Sequence, residues 1–506
     1  MFLTDVISFL PGWLLYLILF GIALYLYGIW PYFTNTVTLP GPKPTAFVGN
    51  LADLAKKGPV ETDVEYVKKY GPVHLTWMGR APFMHIADPE MVKQICIKDF
   101  SNFVNRPNAV PLSKDQKLFI SIIEDDHWKF VRSVLSPAFS SGKMKGMVPL
   151  IQNCINRLHD VLSAKAKSGE SFNIQPILEA LSLEVISATA FAIDVDAQNK
   201  RDELFLTKAK KIFDRNVFAV APLFIGMLFP FTIPFFEAID WTISVKDSSK
   251  YLQEVLANSI KEKKANASGR KDLLQIMIDN SVDNLKRGTG RRRRKHGRAE
   301  IEDLKRSKKL TDLAGYKTTS SLMSFLSYNL AVYSECQEKL IQEIDDTLKG
   351  ETPTYATVMN MPYLDMCVQE TQRLYPAITG LHRVAKSSTI INGHYIPKGM
   401  TVKLLGYILQ RDPQYWPDPE TFNPERFTPE EKAKRNPYVY FPFGLGPRNC
   451  VGMRLALLET KLSIVSILQK FRLVRCPETQ VPIKFRAVDH LEAENGIWVK
   501  VETRDH

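Results

Sequence analysis

The stretch Phe441-Pro442-Phe443-Gly444-Leu445-Gly446-Pro447-Arg448-Asn449-Cys450-Val451-Gly452 decides how this 506-residue chain is read. A cysteine stands here just ahead of the helical pattern Met453 to Gln469, where free backbone amides and the helix dipole favour a thiolate. Gly444 and Gly446 let the preceding loop turn tightly, so that amides can point at the sulfur. Gly452 leaves room for a flat ligand against the first turn, Arg448 adds a cation for an anionic group, and Phe443 places an aromatic ring seven residues before the cysteine.

Outside that loop the composition is that of an ordinary globular protein, 45% hydrophobic and 24% charged. The length suffices for a large core and excludes a small stapled module. A formal net charge of +12 suggests nucleic acid or an anionic membrane until it is located along the chain. Residues 286–309 hold twelve Lys/Arg against three acids, a net +9, and leave only +3 for the rest. The protein therefore has one basic segment, not a basic surface, and no nucleic-acid partner is expected. The other cysteines, at positions 96, 154, 336, 367 and 476, show no C-x-x-C pair and read as reduced, small buried hydrophobes.

Residues 6–42 carry no charge, which exceeds the roughly 20 residues needed to span a bilayer. No basic region precedes the run and no A-x-A-like site follows it, so it reads as an uncleaved transmembrane anchor over residues 1–36. Lys and Arg begin only after it, which places the body of the protein in the cytosol. Leu39-Pro40-Gly41-Pro42-Lys43-Pro44 marks a stiff hinge over 37–48. Residues 49–506 form the remaining domain, mainly α with small β-sheets: helical periodicity recurs, as in Met147 to Leu162 and Cys336 to Leu348, with strand-like pieces at His74 to Trp77, Met84 to Ala87 and Val402 to Leu405. Between Arg215 and Glu237 lie 21 uncharged residues interrupted by Pro222, Pro230 and Pro234, which predicts an irregular apolar region that packs or dips into the membrane interface and not a second span.

A thiolate with small neighbours, an aromatic residue and a nearby arginine is the chemistry wanted for axial ligation of haem iron. The loop closely resembles the cysteine loop of the cytochrome P-450 superfamily of haem-thiolate monooxygenases, and the likeness runs from the proline hinge to the C-terminus. It implies haem b (iron protoporphyrin IX), with Cys450 as the axial ligand of the iron and Phe443, Gly444, Arg448 and Gly452 around it. Three further segments fit. In Glu370-Thr371-Gln372-Arg373 the acid and the arginine share a helical face, and Arg426 of Phe422-Asn423-Pro424-Glu425-Arg426-Phe427 supplies the second arginine of the family's buried lock. His127-Trp128-Lys129-Phe130-Val131-Arg132 repeats a Trp-x-x-x-Arg whose side chains reach a haem propionate in the family, and Arg106, Arg383 and Arg448 are similar to its other propionate-facing positions. Ala314-Gly315-Tyr316-Lys317-Thr318-Thr319 looks like the oxygen-binding groove, where Ala314 and Gly315 leave space and the Thr318 hydroxyl relays protons. The wording of Ile396-Pro397-Lys398-Gly399 and of the cysteine loop is nearest to the animal family 3 branch and its relative thromboxane synthase.

The resemblance implies a single-pass enzyme of the endoplasmic reticulum membrane with a roomy apolar pocket. It would hydroxylate small apolar molecules (steroids, lipids, xenobiotics) with O2 and electrons from NADPH-cytochrome P-450 reductase, with cytochrome b5 as an optional second partner. Two departures stand against it. Lys317 occupies the position of an acid, so it either alters the proton relay or points to solvent. Lys305, Arg306, Lys308, Lys309 and Asp312 stand where about three apolar turns should lead into the groove, so the central helix reads as truncated before Ala314. Either the basic insertion at 286–309 loops out, or it marks a gene-model or splice artefact; weaker folding or haem retention is expected. The rival readings are a reductase-independent isomerase of lipid endoperoxides and a haem protein impaired in turnover.

Overall fold

The computed structural model describes residues 12–504 except 109, 115, 192, 200–202, 214–216, 242–246, 249, 252–253, 256–313 and 487–490. The basic stretch 286–309 and the residues leading to Ala314, on which the expected truncation rests, lie outside the described residues. Among those described, the longer helices are α1 (Gly12–Thr34), α2 (Pro59–Tyr70), α3 (Asp125–Leu135), α4 (Ser141–Ser168), α5 (Gln175–Ile186), α6 (Glu203–Phe213), α7 (Val217–Leu228), α8 (Ala314–Val332), α9 (Ser334–Leu348), α10 (Pro362–Leu374) and α11 (Met453–Lys470). Helices dominate and the sheets are small, as the periodicity predicts.

A four-stranded sheet runs in the order β1 (Val73–Met78), β2 (Ala81–Ile86), β7 (Thr401–Leu404), β4 (Leu381–Val384). β2 and β7 are parallel, and the other two pairs are antiparallel. β3 (Phe172–Asn173), β9 (Trp498–Thr503) and β8 (Phe471–Val474) form a second sheet, and β5 (Thr389–Ile391) with β6 (His394–Ile396) a hairpin. Two apolar cores follow from this division. The larger joins α3, α4, α5, α8, α10 and α11, with Leu158, Leu181, Leu326, Leu364 and Leu462 all buried. The smaller lies against the four-stranded sheet around Met84, Ile86, Val402, Leu404 and Trp416. The cysteine loop and the propionate-type arginines are held between helices and strands of both cores.

α1 is the one helix among the described residues that is long and apolar enough to cross a membrane. Its 23 residues rise about 34 Å at 1.5 Å each, enough for a hydrocarbon core of about 30 Å. The apolar region after Arg215 is more regular than expected. Pro222 sits inside α7, but Pro230 and Pro234 stand in the first turns of a 3₁₀ turn and of the helix Ile233–Ala238, where a missing N–H costs nothing. The region packs on the anchor: Tyr27 lies 6.1 Å from the Phe229 ring and 6.3 Å from that of Phe231, and the Arg80 guanidinium caps Tyr27 at 3.5 Å. Phe224, Phe231 and Phe235 remain exposed beside it.

Candidate active site

Cys450 lies two residues before the Gly452 cap of α11. The loop carrying it closes through Gly444 N–H to Phe441 C=O (2.9 Å) and Cys450 N–H to Phe443 C=O (2.8 Å). Gly444 and Gly446 have φ of +77° and +68°, conformations that favour glycine. Gly446 has a second reason to lack a side chain, since a Cβ there would stand 2.0 Å from the Cys96 carbonyl oxygen. At Gly452 a Cβ would meet no protein atom within 4 Å, so this glycine serves space and not the loop.

The Cys450 side chain is exposed, whereas Cys96, Cys154, Cys367 and Cys476 are buried, Cys336 is half-buried, and all six are free thiols. Burial of its remaining surroundings pushes the Cys450 thiol up, against the opposing pull of the Gly452 and Met453 amides and of Arg132 and Arg106. Coordination to a metal would displace the thiol proton.

The predicted arginines form one cluster, of which Arg106 and Arg132 act on the thiol. α3 places Trp128 and Arg132 one turn apart on one face. Arg448 stacks 4.7 Å over the Trp128 ring and donates Nη2–H to the Ile123 carbonyl at 2.8 Å. Its Nε and Nη1 are buried with no hydrogen-bond partner among the described residues. Arg383, in β4, donates to the His382 carbonyl at 2.8 Å and leaves Nε and Nη2 buried and unmatched in the same sense. Burial and mutual repulsion bring Arg106 down to about 10 and Arg448 to about 9. Among the described ion pairs none neutralises Arg106, Arg383 or Arg448, so the cluster is built for an anion with several carboxylate oxygens. Arg132 forks onto Asn449, with Nη1 to the backbone oxygen at 2.7 Å and Nη2 to Oδ1 at 2.6 Å. One soft thiol, free space beside Gly452 and buried guanidinium donors without partners fit the iron, the flat macrocycle and the two propionates of haem b.

The residues of the predicted lock meet. Glu370 and Arg373 are fully buried, with Arg373 Nε and Nη2 donating to the carboxylate at 2.7 and 2.8 Å. Arg426 Nε lies 3.3 Å from Glu370 Oε1, and the Asn423 N–H donates to the same oxygen at 2.9 Å. On α8, Thr318 is exposed and donates to the Gly315 carbonyl at 3.3 Å, while a Cβ on Gly315 would stand 2.9 Å from Ile186 of α5, so this glycine has a helix-packing reason. Ala314 opens the described part of the helix. Lys317 does not point to solvent: its ammonium pairs with Glu179 at 3.2 Å and Glu492 at 2.6 Å. Those carboxylates lie 138 and 175 positions away, and neither they nor Asn449 carries a local motif that announces the contact.

Fold and site together define a haem-thiolate protein. The comparisons make this specific: the family model "Cytochrome P450" matches residues 39–500, and the chain belongs to that family. It is similar to cytochrome P450 3A11 of Mus musculus, 41% identical over 471 residues and 92% of each chain. It is also similar to the lithocholate 6-beta-hydroxylase of Mesocricetus auratus and to cytochrome P450 3A5 of Homo sapiens, each 38% identical over 490 residues, 96% of this chain and 95% of the relative. The chain is an oxidoreductase, a monooxygenase whose cofactor is haem b.

Proposed function

We propose that this chain is a membrane-anchored monooxygenase of the endoplasmic reticulum that hydroxylates apolar small molecules, steroids first among them, with electrons passed from NADPH by cytochrome P-450 reductase and, as a second donor, cytochrome b5. The observation that carries the reading is the exposed Cys450 thiol, acted on by Arg106 and Arg132, together with the unmatched buried donors of Arg383 and Arg448, which call for a polycarboxylate. The relatives' names add the substrate class, since one of them is a lithocholate hydroxylase. α1 supports the anchor over 1–36, with the hinge at 37–48, the catalytic domain from 49 to 506 facing the cytosol, and residues 286–309 as a basic insertion.

In this reading Arg106, Arg383 and Arg448 would hold the propionates, Phe443 and Gly444 would shape the loop around the thiol, and Arg132 steadies the Asn449 peptide beside Cys450. When bound, the haem would supply the redox chemistry by which O2, two electrons and two protons give one oxygen atom to the substrate and one to water. Thr318 holds a proton at its hydroxyl and would pass it within the groove. The test is turnover of lithocholate or another apolar steroid by full-length protein in vesicles with reductase. Hydroxylated product that requires NADPH supports the reading. Product from a lipid endoperoxide without NADPH would instead favour the isomerase, which needs no proton relay and tolerates Lys317; haem-loaded protein inert in both assays marks impaired turnover.

A further inference from the structure

Lys317 stands beside the groove threonine where the family usually has an acid, and its surroundings explain the exchange. Its ammonium is held between Glu179 of α5 and Glu492 of the C-terminal segment. Glu179 is buried and also bound by Lys210 of α6 at 3.4 Å and by the Gln175 amide at 3.1 Å. Glu492 sits between the buried Leu491 and Ala493, on a segment tied back by Glu494 N–H to Lys484 C=O (2.8 Å) and Arg486 N–H to Glu492 C=O (3.0 Å). The Lys317 backbone oxygen accepts from Ser320 Oγ at 3.1 Å, and the next residue is Thr318. One side chain therefore connects three parts of the chain at the turn that carries the groove hydroxyl.

We propose that Lys317 is a positioning residue for Thr318, an ionic strut that fixes the Gly315–Thr319 turn of α8 against α5 and the C-terminal segment. The inference rests on the monooxygenase reading, in which Thr318 handles the proton. Burial works against the ammonium, but the two carboxylates more than offset it and hold its pKa above the ordinary lysine value, so it stays charged at neutral pH and does not itself pass protons. The alternating charges Lys210, Glu179, Lys317 and Glu492 also make a prediction against the family pattern. K317E, which restores the usual acid, places three carboxylates together and loosens the turn more than K317M does.

The test is amide hydrogen exchange of the peptide spanning Gly315 to Ser320 in full-length, haem-loaded protein. K317M is expected to exchange at least about tenfold faster there, K317E faster still, and K317R close to the parent. K317E/E492K, which reverses one pair and keeps the balance of charge, is expected to regain most of the protection. With steroid substrate, K317M lowers kcat and the product formed per NADPH while KM changes less than about twofold, and K317R rescues both. Unchanged exchange in K317M, or a K317E protein as protected as the parent, overturns the proposal. If K317M does not fold, E492Q removes the shorter contact and must show the same direction of change. The reduced, carbon monoxide-bound spectrum of each sample reports the haem-thiolate reading separately, so loss of that reading is not confused with loss of the strut.

Discussion

Replacing Glu370 by Gln removes one charge and almost no volume at the centre of the buried lock. The parent carboxylate receives Arg373 Nε and Nη2 at 2.7 and 2.8 Å and the Asn423 amide at 2.9 Å, and it pairs with Arg426 at 3.3 Å. Glutamine keeps one acceptor oxygen but turns an N–H₂ toward a guanidinium, leaving two arginines facing each other without an anion. Breaking a buried pair by removing one partner costs about 3–5 kcal/mol. Loss of two charge-assisted hydrogen bonds at about 1.5–3 kcal/mol each gives the same range. An exposed pair would give at most about 1 kcal/mol. The assay is unfolding after a jump into urea, followed by tryptophan fluorescence, with haem release followed at the Soret band. Carried wholly by the unfolding rate, the loss corresponds to an acceleration of more than about 100-fold. A change worth less than about 1 kcal/mol, with haem retained as in the parent, would refute the reasoning.

Three other outcomes follow from the same coordinates. His74, His85, Lys403 and His382 form one row across β1, β2, β7 and β4, and the row meets the carboxylate of Asp63, paired to Lys403 at 2.6 Å and His85 at 3.2 Å. Burial and the neighbouring His85 lower His74 to about 4, so the folded state binds fewer protons than the unfolded one between pH 6.5 and 4 and stability falls as pH drops through that window, by up to about 3 kcal/mol from this group. Asp63, held at about 2 by Lys403 and His85 although burial opposes it, contributes stability that is lost only below pH 3.8, so H74F should lessen the fall of the urea midpoint between pH 6.5 and 4 without abolishing it, since His382, lowered to about 3, and His85 titrate in the same direction. Gly446→Ala forces a Cβ to within 2.0 Å of the Cys96 carbonyl at a positive φ and should destabilise haem-depleted protein by about 2–5 kcal/mol, whereas Gly452→Ala, with nothing within 4 Å, should leave that protein unchanged and weaken haem retention instead. R383A/R448A should likewise release haem faster, measured by transfer to apomyoglobin, because the buried Nε and Nη donors of both arginines that have no protein partner among the described residues are lost to the ligand.

Much of the site could be read from residue spacing. Glu370 and Arg373 are three apart on a helix, so their pairing is local, and Cys450 precedes a plain helical pattern, so its position against α11 follows directly. Arg426 and the propionate-type arginines were placed through the family resemblance, since spacing says nothing about a partner 56 residues away. What escaped reading is what depends on distant chain segments. Lys317 finds Glu179 and Glu492 only because α5 and the C-terminal segment pack on α8. Arg132 turns to Asn449, 317 positions off, for the same reason. Pro230 and Pro234 read as breaks because composition does not tell a helix interior from a helix start, and the thiol of Cys450 is raised, not lowered, because burial is a property of the packed loop.

The central claim is that Cys450 binds haem iron as a thiolate, and the difference spectrum of the reduced, carbon monoxide-bound protein tests it most directly. Full-length protein is predicted to give the red-shifted, thiolate-type Soret band, and Cys450→Ser to lose that band while its far-ultraviolet circular dichroism stays that of the parent. Absence of the band from well-folded, haem-loaded parent protein, or its persistence in the Cys450→Ser variant, would contradict the account.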